Sequence, residues 1–513
     1  MTTSKPIAAN FVDPRTPVNL TNCDREPIHI PGAIQPNGVL LAFREADAQI
    51  VQASANAEAV LNCGRPVGAN LSAILGPTAS EIIRTALGSS TQRVTARVET
   101  LVGLFDATIH RSDNVAIVEL EQSLGTDGLD PAGFRDLIRE TLDNIARAST
   151  VSGLAGEVAQ QMRTITGFDR VWVYFFHEDW HGEIIGESMR DGIEPWLGLH
   201  YPASDIPTQA RELFLKNWLR MIPDVGFTPI PLVPVENPVT GKPLDLGNSV
   251  LRSVSPIHIE YLTNMGVKAS LVISLIHRGR LWGLISGHHY SGPKTVSVAV
   301  RTICEFLAQA LSLQLGMAEQ IEDTEGELEV KRIEARLREK LADPGGYVLA
   351  LTRGSPSLLE LGQSTGAAIC DGSDCVTVGD TPAEAEVIDV VRWLRANNND
   401  SFRTTMLSKQ YPPAANWTHN SSGLMAVALS PKRPHYILWF KPEYQQTVRW
   451  AGDPNKPATM GDGNIPRLSP RGSFALWEEE RRGVSSPWSQ AVVDAAADLR
   501  RTLLDLLLKK AKR

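Results

Sequence analysis

The chain has 513 residues, enough for about three globular domains of ~150 residues each. Apolar residues make up 42% and charged residues 21%, the balance of a folded protein rather than a disordered one. With 50 Lys and Arg against 58 Asp and Glu the net charge is −8, which excludes a broad basic surface for nucleic acid or anionic lipid. No membrane span is expected, because no apolar run approaches the ~20 residues one needs, and no signal peptide, because MTTSKPIAAN at the start lacks a basic-then-apolar layout. The expected location is therefore the cytoplasm. The five cysteines, 23, 63, 304, 370 and 375, are scattered and odd in number, so no disulfide framework is expected. Cys370 and Cys375 form a lone C-x4-C pair, and no metal site is expected.

In chain order, residues 1–22 read as an extended arm. The runs 38–43 (GVLLAF), 93–101, 106–111 and 115–121 (VAIVELE) predict an antiparallel meander, with short helices in 61–76 and 79–87. DGLDPAG (127–133) is turn chemistry, and from Phe134 the spacing of Leu137, Leu142, Ile145 and Ala146 predicts a helix. RVWVYFF (170–176) reads as a strand and 269–289 as a hairpin turning at Arg278 and Gly279. Residues 227–249 are Pro-rich with little regular pattern, a length of loop that usually serves function.

One long helix is predicted from about 302 to 342, ended by Asp343-Pro344-Gly345-Gly346. Leu307, Leu311 and Leu315 keep a 3–4–7 rhythm, so the helix should bridge domains or pair with a second copy along this seam, and dimerisation is expected through it. A third unit has predicted strands at 347–351 (YVLAL), 366–370, 425–430 and 435–440. The final stretch carries Val492, Ala496, Leu499, Leu503 and Leu506 on one seam and reads as a helix continuing into a longer protein.

A ligand site is suggested in the second unit. Asp205 in YPASDIP lies just before a helix, where Ser204, Asp205 or Thr208 could serve merely as its cap. Arg252, Ser255, His258 and Tyr261 crowd one short segment, and His288 ends a strand pairing with that of Ser270. CDREPIHIPGAIQPNG (23–38), PASDIP (202–207), SPIHIEYLTNMGV (255–267) and SPRGSFALWEE (469–479) together resemble bacteriophytochromes, red and far-red photoreceptors. The resemblance runs over essentially the whole chain.

That resemblance implies an α+β fold of three tandem PAS-like domains with antiparallel sheets and flanking helices. The implied divisions are an arm (1–22), PAS (23–126), GAF (127–315), PHY (316–485) with a tongue at 447–484, and an output helix (486–513). It implies that the arm passes through the 227–249 loop in a figure-eight knot. The implied cofactor is biliverdin IXα, a linear tetrapyrrole joined by a thioether to Cys23, since Ile257 stands where other phytochromes carry their attachment cysteine. Arg220, Arg252, Ser255 and Ser270 match propionate contacts, and His258 and Asp205 the surroundings of the pyrrole nitrogens. Tyr174, Tyr201, Tyr261 and His288 match the walls of ring D, with Ile206 and Pro207 supplying shape. Phe214 and Val272 stand where hydroxyl residues are common, Trp172 replaces a smaller wall residue, and Asn37 replaces a histidine.

In the tongue, Arg471 is expected to pair with Asp205, aided by Ser473, Phe474, Trp450 and Trp477. Implied partners are a second copy, an output domain, most often a histidine kinase, and its response regulator. No kinase motif lies in these residues, so the chain itself is not expected to be an enzyme. Two other readings compete. A GAF-type sensor of a small ligand leaves Cys23 without a role, and a cysteine hydrolase using Cys23 with His258 or His288 lacks a recognisable oxyanion hole.

Overall fold

The computed structural model describes residues 26–89, 93–125, 131–146, 150–342, 346–372, 374–430, 434–444, 446–453 and 476–511. They fall into two compact units, Met1–Ala318 with Arg449–Trp477, and Glu319–Val448 with Glu478–Arg513.

The first unit opens with the predicted meander, strands Val39–Phe43, Ile50–Ser54, Val94–Thr100, Gly103–Ser112 and Val115–Gln122. GVLLAF is apolar throughout because both faces of its strand are covered. Val39, Leu41 and Phe43 join a core with Ala79 and Ile83 of the helix Pro77–Ser89, while Leu40 and Ala42 pack against Leu232, Leu244, Leu246 and Leu251.

Leu232, Leu244 and Leu246 belong to the segment 227–249, expected to have little regular pattern. Instead it supplies strand Ile230–Val233, inserted antiparallel between Ala33–Ile34 and Ile50–Ser54, and a small hairpin from Glu236–Asn237 and Lys242–Pro243. Prolines removed the alternating pattern without preventing the pairing, because Pro231 and Pro234 use only their carbonyls, which accept from Ala55 N–H at 2.9 Å and Gln52 Nε2 at 2.9 Å. Residues 28–35 are held by both limbs of this loop. Leu232 N–H reaches Gly32 O, Leu246 N–H reaches His29 O, and Arg252 Nη1 reaches Ile28 O, at 2.9, 2.8 and 2.6 Å. The arm expected to thread the loop lies outside the described residues up to Glu26.

Glu119 fastens the loop. Its carboxylate is fully buried and accepts from Ser249 Oγ at 2.5 Å, Val250 N–H at 3.0 Å and Leu251 N–H at 2.6 Å. Burial pushes its pKa up to about 7 against the pull of those donors. His110 lies 3.7 Å away but burial pushes it down to about 4, so it faces Glu119 as a neutral ring at neutral pH.

The second sheet of this unit runs in the order Leu219–Ile222, Ala269–His277, Arg280–His289, Arg170–Phe176, Gly182–Met189, His200–Tyr201. The predicted hairpin turn is present, with positive φ at Arg278 and Gly279. One face packs on helix Val151–Thr166 and on the start of the 43-residue helix Val298–Lys340.

That packing overturns the predicted seam: Leu307, Leu311 and Leu315 are at most 1% exposed inside this core. Among the described residues, the exposed large apolar side chains of the same helix are Phe306, Leu313, Met317 and Leu328. The stretch Val298–Ala318 is also long and apolar enough to cross a bilayer, contrary to expectation. Half of it is buried within the protein, and its Arg301 reaches both oxygens of Glu121 at 2.7 Å, which marks a core helix.

In the second unit, strands Asp374–Gly379, Gly366–Asp371, His435–Lys441, Gly423–Ala428 and Ser401–Thr404 form one antiparallel sheet. Residues 347–351 form helix Tyr347–Thr352 rather than a strand; its Leu351 packs with Leu337 and Trp439. A run that short carries no period to separate helix from strand. Val492, Ala496, Leu499 and Leu503 are buried in the same core, so this seam too is covered within the chain. Cys370 and Cys375 are disulfide-bonded, against expectation, because antiparallel pairing sets them directly opposite with Cα atoms 4.1 Å apart.

Glu119 generates a test with a definite sign. Its folded pKa, about 7, lies above the ordinary 4.5, so the folded state holds the extra proton in that interval and stability falls as pH rises through it. Glu119→Gln cannot titrate. In urea denaturation the wild type should lose stability relative to this variant as pH rises from 4.5 to about 7, by on the order of 3 kcal/mol at most. A constant difference across that range would show that Glu119 does not carry the proton.

Candidate functional site

The site lies on the other face of the second sheet. Strand pairing sets Arg220, Val272, Ser286 and Trp172 in one row, and Ile222, Ser270, His288 and Arg170 in the next. Residues two apart on a strand share a face, so both rows line one surface, while Met221, Leu271 and Val171 turn into the core behind. Aromatic rings wall it: Trp172 meets His288 edge-on at 4.3 Å, and Tyr174 lies 5.9 Å from Tyr201. Gly182 makes room for Tyr174, since a Cβ there would sit 1.7 Å from that ring. Ile206, Phe214 and Val272 pack against this cluster.

Two short helices close over the sheet. Asp205 ends the 3-10 turn Ala203–Asp205, and Thr208–Lys216 begins after Pro207 with no side-chain cap. The capping reading of Asp205 is therefore replaced: its Oδ2 accepts from Tyr261 Oη at 3.0 Å. Helix Pro256–Asn264 sets His258 and Tyr261 three residues apart, with near-parallel rings 6.2 Å apart. Ser255 at its start does not cap it but donates to Glu26 Oε2 at 2.9 Å, and burial raises that carboxyl.

The electrostatics are unbalanced. Arg220 donates to the carbonyls of Arg252 and Ser253, and Arg252 to that of Ile28. Among the described residues neither guanidinium pairs with a carboxylate, and Arg220 Nη1, Arg252 Nε, Ser270 Oγ and His288 Nδ1 are buried without a hydrogen-bond partner. Burial holds Arg220 well below the ordinary arginine value and brings Arg252 down to about 10. Burial, then the two arginines, pushes His258 down to about 4, and burial, then Arg170, lowers His288. Among the described residues the site thus sets neutral imidazoles beside buried cations with no carboxylate in direct contact, and it suits a flat apolar ligand that carries anionic groups.

Comparison with known proteins accounts for this arrangement. Residues 23–123 match the PAS fold, 151–319 the GAF domain and 330–512 the phytochrome region. The cyanobacterial phytochrome B of Nostoc sp. is 40% identical over 506 residues, covering 96% of this chain and 67% of that protein. This chain belongs to the phytochrome family. The bacteriophytochrome of Pseudomonas aeruginosa is 36% identical, with 97% of this chain and 68% of that protein covered. The crystal structure of a bacteriophytochrome from R. palustris superposes with a TM-score of 0.82 at 38% identity, covering 96% of this chain and 100% of that one. The chain spans about two thirds of the length of the first curated relatives it matches. It is the photoreceptor module of a phytochrome.

Of the residues singled out from sequence, Tyr174, Tyr201, Asp205, Phe214, Arg220, His258, Tyr261, Ser270 and His288 lie on the elements just described; Ile206 and Pro207 stand between the 3-10 turn and the helix of Phe214, Ser255 directly precedes the helix of His258, and Arg252 bridges to Ile34. Cys23, Arg471, Ser473 and Phe474 lie outside the described residues. Trp450 is buried and pairs in parallel with His200, and Trp477 sits half-buried in strand Leu476–Arg481. Sequence reasoning missed Glu26, although it stands inside the motif 23–38, and Gln35, whose Nε2 donates to Met221 O at 3.0 Å.

An uncompensated cation costs stability, so Arg220→Met should make the ligand-free chain more stable by about 1–3 kcal/mol in urea. The same variant should raise the His258 pKa from about 4, read by NMR titration, because it removes a neighbouring positive charge. A destabilised variant with an unmoved His258 would mean that the charge is already compensated.

Proposed function

We propose that this phytochrome module binds biliverdin on the face of Arg220, Ser270 and His288, held covalently by Cys23. The observation that carries the reading is the set of buried donors without partners, two of them on guanidinium groups, in a pocket otherwise walled by aromatic rings. Arg220 and Arg252 would take the propionates, with Ser270 as a further donor, and Tyr174, Tyr201, Tyr261 and His288 would bound the terminal ring. Asp205, held by Tyr261, is set to accept from pyrrole nitrogens. When bound, a bilin supplies light-driven isomerisation about one of its methine double bonds.

Glu26 supports the attachment. It stands at Ser255 and lies three positions from Cys23, a reach of at most about 11 Å. Ile257 leaves no thiol at the alternative position before His258. For the tongue, the reading assigns Arg471 as partner of Asp205, with Trp450 and Trp477 flanking it. We further assign this phytochrome a cytoplasmic location and, in its full-length protein, an output domain of the histidine kinase class with a response regulator.

Cys23→Ser should still take up biliverdin, because the pocket contacts remain. Its pigment should separate from protein on a denaturing gel stained by zinc fluorescence, whereas wild-type pigment should migrate with the chain. Pigment that stays attached in the variant would overturn the assignment, and a wild type that takes up no biliverdin would overturn the function.

A homodimer is assigned to the exposed stripe Phe306, Leu313 and Met317, which share one helix face at spacings of seven and four. Leu313→Glu with Met317→Glu should give a folded monomer by light scattering at micromolar concentration. Leu311→Glu should instead destabilise the fold by several kcal/mol, on the order of ~3 or more, since it buries a charge in the core. A double variant of unchanged mass would place the dimer interface elsewhere.

A further inference from the structure

Outside the proposed bilin pocket, one cluster of side chains has no part in the chemistry described so far. At the outer end of the second sheet, three neighbouring strands or their turn each contribute one imidazole. His177 follows strand Arg170–Phe176, His181 precedes strand Gly182–Met189, and His200 begins strand His200–Tyr201. His177 N–H donates to His181 O at 2.9 Å across the turn, and Glu183 lies opposite His200 in the register. Pairing and pleat thus turn residues 23 positions apart toward one spot. The ligand atoms of all three histidines lie within 4.8 Å of one another.

The three rings are also packed closely together. His177 and His181 stack at 4.1 Å and 6°, and His200 lies 5.8 and 5.3 Å from them. Carboxylates hold two of the rings from outside: Glu183 Oε2 is 3.0 Å from His177 Nε2, and Asp179 bonds His181 Nδ1. A carboxylate that fixes the tautomer and direction of an imidazole is the usual outer shell of a metal-bound histidine.

We propose that His177, His181 and His200 form a site for a divalent transition-metal ion, of which zinc is the type, with Glu183 and Asp179 as positioning residues. Three imidazoles select zinc, nickel, cobalt or copper over magnesium and calcium, which favour oxygen. Tetrahedral zinc bonds of about 2.0–2.1 Å put ligand nitrogens about 3.3 Å apart, so the cluster must contract by on the order of 1 Å. Parallel rings cannot both aim a lone pair at one ion. Binding therefore swings the His181 ring, which sits on the turn and is only partly buried. The fourth position is left to solvent or to a further donor. Because Trp450 pairs with His200 and lies 5.9 and 5.8 Å from the His181 and His200 rings, the bound ion braces the strand that carries Trp450 against the sheet.

The test uses the untagged chain, both bilin-free and biliverdin-loaded, dialysed against zinc chloride with millimolar magnesium present and analysed for metal. About one equivalent of zinc should be retained in each form. X-ray absorption of the zinc-loaded wild type should give a first shell with three imidazole nitrogens, a readout that needs no variant. His177→Ala with His181→Ala should abolish retention, and Glu183→Gln should weaken it by about 10–100-fold while circular dichroism stays unchanged. No zinc retained by the wild type, a sulfur-containing first shell, or one equivalent kept by the double variant would each overturn the site.

Discussion

Everything in the first unit depends on a buried carboxylate taking hold of a returning loop. Glu119 sits in the middle of a central strand of the PAS sheet, yet it accepts from residues 249, 250 and 251, which belong to the following domain. Each of those donors would otherwise be a buried polar group without a partner, a loss of about 1–3 kcal/mol apiece. The same loop lays Ile230–Val233 into the sheet and brings Arg252 against Ile28. Release Glu119, and Arg252, the segment near Cys23 and the edge of the PAS sheet lose their common anchor. The arrangement makes two domains one cooperative body.

The second sheet shows how one set of strands meets two opposite demands. Met221, Leu271, Ile273 and Val171 on one face bury apolar surface against two helices. Their immediate neighbours in sequence, Arg220, Ser270, Val272 and Trp172, face the pocket. Alternation separates the two without any change of backbone direction. The pocket face is the costly one, because among the described residues Arg220 and Arg252 have carbonyls rather than carboxylates as hydrogen-bond partners. Under the proposed function, an anionic ligand would offset that cost.

How much of this could be read in advance varied with the reach of the interaction. RVWVYFF and the Arg278-Gly279 turn were readable because their signals are local: β-branched and aromatic residues in one, and in the other a turn glycine, which the structure holds at positive φ. Most pocket residues were found through motif resemblance, since nothing in the spacing of Arg220 and Ser270 says that strand pairing brings them onto one face. Leu307, Leu311 and Leu315 misled, because a helix face buried under its own sheet carries the same repeat as one buried under a partner. Asp205 likewise had a cap's position without a cap's bond. The three histidines were invisible for the same reason as Glu119: an H-x3-H pair and a histidine 19 residues later meet only through sheet register.

The inserted strand Ile230–Val233 has a consequence for how the protein is made. Ala33–Ile34 and Ile50–Ser54 cannot be joined until residue 233, about 180 residues downstream of Ser54, has left the ribosome. At 5–20 residues per second, that delay is on the order of ten to forty seconds. Through that interval the nascent chain presents two unpaired backbone edges and the apolar side chains Leu40, Ala42 and Val51, which in the finished protein meet Leu232 and Leu251. This sheet therefore waits for a segment of the following domain before it is complete, and its early edges need shelter from neighbouring chains until the loop arrives.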